Sequence, residues 1–158
     1  MASLLTAARV FARSLSPIEI PPLKLVIIGK FIALTPITQS AALEKLSAAC
    51  VRAFEAYRVP LTDEQIANYK KNRLTVHQEQ MLEHWGYPYV MEEFRFHMSV
   101  TDRIDVASER EAIMAAMEKL AAPVLGKPVM VHDIVVFAQS SADQPMTPVE
   151  RIPFGRSK

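Results

Sequence analysis

From Glu93 to Thr101 the chain reads Glu-Phe-Arg-Phe-His-Met-Ser-Val-Thr, with an apolar residue at every second position. Only extended chain sends alternate side chains to opposite faces, so a period of two calls for a β-strand with one face covered. The spacing predicts a strand over residues 92–101. Phe94, Phe96, Met98 and Val100 make its apolar layer. Arg95, His97, Ser99 and Thr101 make the other row, with neighbours about 6–7 Å apart. A half-covered strand belongs to an antiparallel sheet. Its polar face has two readings. One is a solvated sheet surface. The other is a row that grips a phosphate: His97 moves a proton near neutral pH, Ser99 donates to a phosphoryl oxygen, and Arg95 adds charge-assisted hydrogen bonds.

The remaining elements follow from periodicity and punctuation. Leu4, Leu5, Ala8, Phe11 and Ala12 recur at helical spacing and predict a helix over 2–14. Two apolar runs, 23–28 and 31–35, flank Gly29-Lys30, and Gly at the first central position suits a type II′ hairpin. Ser40 is set to cap a helix reaching residue 57, with Leu43, Leu46, Ala49, Cys50, Ala53, Phe54 and Tyr57 as its apolar stripe. Thr62 with Gln65 forms a capping box. Thr75 opens a further helix that Gly86 closes. Residues 87–90 read as an extended aromatic connector. An amphipathic helix over 107–121 carries Ile113, Met114, Met117 and Leu120. A long strand is expected over 129–137, a turn-rich loop over 140–145 and a last strand over 147–154, where Pro148 and Pro153 suit a sheet edge.

The 158 residues are half apolar, with 18 Lys+Arg against 17 Asp+Glu and a net charge of +1. That composition is globular and gives no chain-wide field to attract a nucleic-acid polymer. A single cysteine excludes a disulfide framework, and no apolar run reaches the roughly 20 residues that span a bilayer. The first 17 residues carry Arg9 and Arg13 and no acid, which fits an organellar presequence as well as an ordinary first helix. A cytoplasmic protein is the expectation. The four glycines fall in no phosphate-loop spacing. His77 and His84 share a helical face without further metal ligands. His132 falls at the rim of a strand. Trp85, Tyr87 and Tyr89 suit either packing or the stacking of a base or sugar. Lys70, Lys71 and Arg73 read as a solvated helix end or as a guide for an anionic substrate.

Residues 85–90, then 92–101 with Arg103, resemble the second signature of an uncharacterised family found with bacterial phosphonate-catabolism genes. That family is assigned to the two-histidine phosphoesterase superfamily of ligase- and cyclic-phosphodiesterase-like proteins. Pro22-Leu23-Lys24-Leu25, Phe31-Ile32-Ala33-Leu34, Cys50-Val51-Arg52-Ala53-Phe54, Arg58-Val59-Pro60-Leu61, the run 134–139 and Ile152-Pro153-Phe154 fit in the same order. The resemblance implies an α+β fold: two lobes of antiparallel sheet, outer helices and a cleft between. Residues 1–60 would be the remainder of the first lobe, 61–91 a helical connector and 92–158 the second lobe. It implies His97 as general acid or base, Ser99 as phosphate-holding hydroxyl, Arg95 or Arg103 as charge stabiliser, and Thr101, Tyr87 and Tyr89 as substrate contacts. The implied substrate is a small phosphate ester or cyclic phosphodiester, processed without metal or cofactor. No membrane partner is implied, and the oligomeric state is open.

Such proteins oppose two His-x-Ser/Thr motifs, one serving the attacking oxygen and the other the leaving oxygen. His97-Met98-Ser99 matches the second motif. His77, His84 and His132 are not followed by Ser or Thr at the right spacing. The expectation is a family member shortened at its N-terminus, its first lobe incomplete. The rival expectation is a non-catalytic remnant or phosphate-ligand-binding protein.

Overall fold

The computed structural model describes residues 1–155. The helices are α1 (Ala2–Arg13), α2 (Ala41–Phe54), α3 (Asp63–Lys70), α4 (Val76–Trp85) and α5 (Ala107–Ala121). The strands are β1 (Ile18–Ile20), β2 (Leu23–Ile28), β3 (Phe31–Pro36), β4 (Met98–Ser99), β5 (Val129–Val131), β6 (Asp133–Ala138) and β7 (Thr147–Pro153). The class is α+β, and β2–β3–β4 and β6–β7 are antiparallel sheets. The contacts divide the chain into two interleaved units. The first holds residues 1–18, 45–94 and 131 onward; the second holds 19–44 and 95–130.

In the first unit α1 lies on the β6–β7 ribbon. Ala8 and Ala12 are fully buried, and their small side chains let the helix backbone come close to Ile152 and Phe154. Leu46, Phe54, Ile134 and Val136 pack around that contact. The edge of the Phe11 ring meets Phe54 at 5.3 Å between centroids. Burying each large side chain here contributes about 1.5–3 kcal/mol. The predicted apolar stripe of α1 is therefore the stripe that seats it.

In the second unit β2 and β3 form a hairpin in which Leu23 pairs with Pro36 and Ile28 with Phe31. Gly29 takes φ +57° and Lys30 has no positive φ, the sign pattern of the predicted II′ turn. β4 adds to β3, with Ala33 opposite Ser99 and Leu34 opposite Met98. Ile20, Leu25, Ile32, Ala33 and Leu43 are buried, and α5 packs against β2 and β3.

Five expectations are corrected. The strand over 92–101 contracts to Met98–Ser99, with a 3-10 turn at Met91–Glu93 before it. The expected apolar layer is only half covered: Met98 and Val100 stay exposed at the edge of the sheet. The long strand over 129–137 breaks at His132, because β5 pairs with β1 while β6 pairs with β7. Residues 87–90 form a turn rather than extended chain. In α5 no residue is fully buried: Met114 and Met117 are half-buried while Leu120 is 81% exposed, so the side that packs is narrower than the predicted stripe.

Candidate functional site

His97 sits one residue before β4, and the hairpin positions it. The β2–β3 turn brings Phe31 forward, and the His97 ring lies tilted against it at 5.9 Å between centroids. The imidazole is exposed. Its Nδ1 is 3.0 Å from the Arg95 carbonyl oxygen. A carbonyl only accepts, so this contact assigns the proton of the neutral ring to Nδ1. Nε2 then carries the lone pair and has no protein partner among the described residues. Ser99 follows two positions on, exposed, on the strand that pairs with Ala33.

The other predicted residues divide. Thr101 is partly spoken for: its Oγ1 accepts the Ile32 N–H at 3.0 Å, while the Ile32 carbonyl accepts the N–H groups of Val100 and Thr101. The hydroxyl pins the end of β4 to β3. Arg103 donates Nε to Asp105 at 2.9 Å. Lys30, from the hairpin turn, donates to the same carboxylate oxygen at 2.6 Å. These two hydrogen bonds, that of Lys30 first, hold the Asp105 carboxyl below its usual range. Arg95 is exposed and precedes His97 in the same unit.

Tyr87 and Tyr89 belong to the first unit, in a cluster with Tyr69. The Tyr69–Tyr87 and Tyr87–Tyr89 ring pairs meet edge to face at 5.8 and 5.5 Å. Burial raises the Tyr87 hydroxyl above its ordinary pKa, with Tyr69 and Tyr89 adding to the effect. Both rings keep about two-fifths of their surface exposed. Capping boxes at Thr62/Gln65 and Thr75/Gln78 start α3, which carries Tyr69, and α4, which leads into the turn at 87–90.

Lys30 was missed by sequence reasoning. It lies 75 positions from Asp105, and a lysine at a hairpin tip carries no signal of a distant carboxylate. No group of three or more His, Cys, Asp and Glu among the described residues is arranged to hold a metal ion. No helix among them is long and apolar enough to cross a membrane.

The geometry defines an α+β chain of short antiparallel sheets that presents an accessible imidazole and a serine hydroxyl at a sheet edge. The chain belongs to the family described as protein of unknown function (DUF1045), whose model matches residues 1–147. That agrees with the uncharacterised family to which the residue pattern points. Over 155 residues the chain is 29% identical to ribose 1,5-bisphosphate phosphokinase PhnN of Janthinobacterium sp. (strain Marseille). The match covers 96% of this chain and 34% of that protein, so the chain spans about a third of the relative's length. No solved structure matches it.

Proposed function

We propose that this chain handles a small phosphate ester or cyclic phosphodiester in phosphonate metabolism, with His97 as its proton-transfer group. One observation supports this most: the Nδ1 contact to the Arg95 carbonyl leaves the Nε2 lone pair of the exposed ring without a protein partner among the described residues, two residues before Ser99. In the reaction class the resemblance implies, Nε2 removes the proton of an attacking water. The new P–O bond forms as the ester P–O bond breaks, and the leaving oxygen takes up a proton. Ser99 and Arg95 hold the phosphoryl oxygens. One imidazole cannot serve both ends of an in-line displacement at once. The second proton donor is therefore another group or bulk water, and turnover by this chain is expected to be slow.

The Janthinobacterium relative is named for a phosphokinase of ribose 1,5-bisphosphate. This chain has no GxxxxGK[ST] spacing among its four glycines. We therefore read the kinase activity as residing outside the matched third, and propose a phosphorylated sugar as the substrate class of the matched third.

The test is phosphorus NMR of 2′,3′-cyclic nucleotides, ribose 5-phosphate and ribose 1,5-bisphosphate incubated with the chain. Ring opening or phosphate release that falls about 10²–10⁴-fold in His97→Ala supports the reading. Equal rates in the two proteins overturn it. The single His-x-Ser favours a second reading, a non-catalytic binder. Saturable binding of a phosphorylated sugar with no turnover by the unaltered chain selects that reading.

A further inference from the structure

A polar concavity lies wholly in the first unit. It has a volume of about 330 Å³ and lies between α1 and β7, bordered by the charged side chains of Arg9, Arg13 and Glu150 and by apolar Ile152 and Phe154. Consecutive residues of β7 line it although they point to alternate faces, so the cleft runs along the edge of the strand. β6 and β7 form a two-stranded sheet, so this edge has no strand beside it among the described residues. Phe154 donates its N–H to the His132 carbonyl on the β6 side. With Ile152 opposite Ile134, the antiparallel alternation turns the Arg151 N–H outward.

The three guanidinium groups are held differently. Arg9 donates Nε and Nη2 to the two Glu150 oxygens at 2.8 and 2.7 Å, which leaves its Nη1 donors unused. Arg151 donates Nη1 to both Asp133 oxygens at 2.9 and 2.8 Å, which draws its guanidinium across the ribbon toward β6, on the face opposite Ile152, so that only its main chain borders the cleft. Arg13 has no hydrogen-bond partner among the described residues, and it is exposed. Two carboxylates thus orient two arginines while the third stays uncompensated.

We propose that this cleft binds a small dianion of the phosphate-monoester class, with Arg13 as its principal ligand and Arg9 at its flank. Guanidinium forks match phosphate oxygens with paired donors. Apolar Ile152 and Phe154 suit the carbon skeleton of a phosphorylated metabolite, and the volume lies at the small end of ligand sites. An extended acidic peptide fits less well. Pro153 has no N–H to continue a ladder along this edge. Gly155 closes one end: its N–H bonds the Ala12 carbonyl at 3.0 Å, and a Cβ there would stand 2.3 Å from the Arg13 carbonyl oxygen. Glu150 and the carboxyl end of α1 oppose an anion, so the expected affinity is about millimolar. The proposal does not rest on His97.

The experiment follows arginine 15Nε resonances of the whole chain at low salt during titration with inorganic phosphate and ribose 5-phosphate, with ribose and chloride as controls. The Arg13 signal should shift saturably with both phosphates and with neither control. Arg13→Gln should weaken binding about tenfold at this site while His97→Ala leaves the Arg13 response unchanged. Gln keeps a good helix propensity at this exposed position, and circular dichroism checks that the variant folds. An Arg13 shift that fails to saturate, an equal response to chloride, an affinity unchanged in Arg13→Gln, or binding of an acidic peptide alone would each overturn the site.

Discussion

At the scale of single residues, burial and hydrogen bonding decide what each reactive group can do. Cys50 is the sole cysteine and lies half-buried on α2. It borders an apolar concavity of about 320 Å³ with Leu4, Ala8, Phe54 and Val136. Burial pushes its thiol above the ordinary value, so the fold favours the neutral form. Stability from this difference is fully present below the free-thiol pKa, near 8.5, and is lost as pH rises through the higher native value. The urea midpoint of the native chain should therefore fall more steeply as pH rises above about 8.5 than that of Cys50→Ala. Parallel slopes would show that the thiolate is not disfavoured. His97 is the opposite case: exposed, oriented by one carbonyl, and chemically available at Nε2.

At the scale of elements, caps and turns were legible because each depends on a few neighbouring residues. Thr75 accepts the Gln78 N–H at 3.2 Å, and the Gln78 side chain accepts the Thr75 N–H at 3.1 Å. Thr75→Ala is expected to cost about 1 kcal/mol, read from urea unfolding, and no change would show that tertiary packing alone holds α4. Gly86 closes that helix at φ +71°. A Cβ there would also meet the Arg58 guanidinium at 2.7 Å, and that group donates toward the His84 carbonyl at the end of α4. Gly86→Ala should therefore cost more than Gly29→Ala. Gly29 has φ +57° with open space around it, so only the backbone penalty of roughly 1 kcal/mol applies. Equal losses would mean that Arg58 swings away freely.

Strand extents were not legible in the same way. The alternation through residues 93–101 is real, but a strand also needs a neighbour. β3 supplies one only at Ala33 and Leu34, after which the Ile32 carbonyl collects two successive N–H groups. The apolar run over 129–137 changes partner at His132, which no period reports. The candidate site was legible to the same extent. The His97 and Ser99 pattern came from local spacing, whereas the Lys30–Asp105–Arg103 cluster depends on a 75-residue separation.

At the scale of the molecule, both ends of the described chain build one core. Ala8 and Ala12 from the first helix meet Ile152 and Phe154 from the last strand, and the Gly155 N–H closes on the Ala12 carbonyl. Contacts between residues about 140 positions apart close a far longer loop than a hairpin does, so losing one of them loosens the segments that share it. The β2–β3 hairpin sits in the other unit and closes through a two-residue turn. Ile152 is 5% exposed, and Ile152→Ala should remove about 2–5 kcal/mol from the core it shares with α1. Amide hydrogen exchange reads where that loss falls. Amides of α1, β6 and β7 should exchange faster by a common factor, because they open as one cooperative unit, while those of β2 and β3 change less. A uniform acceleration through both units would mean that the chain opens as a whole. Unchanged protection in α1 would mean that the helix is held by something other than its apolar seat on the β6–β7 ribbon.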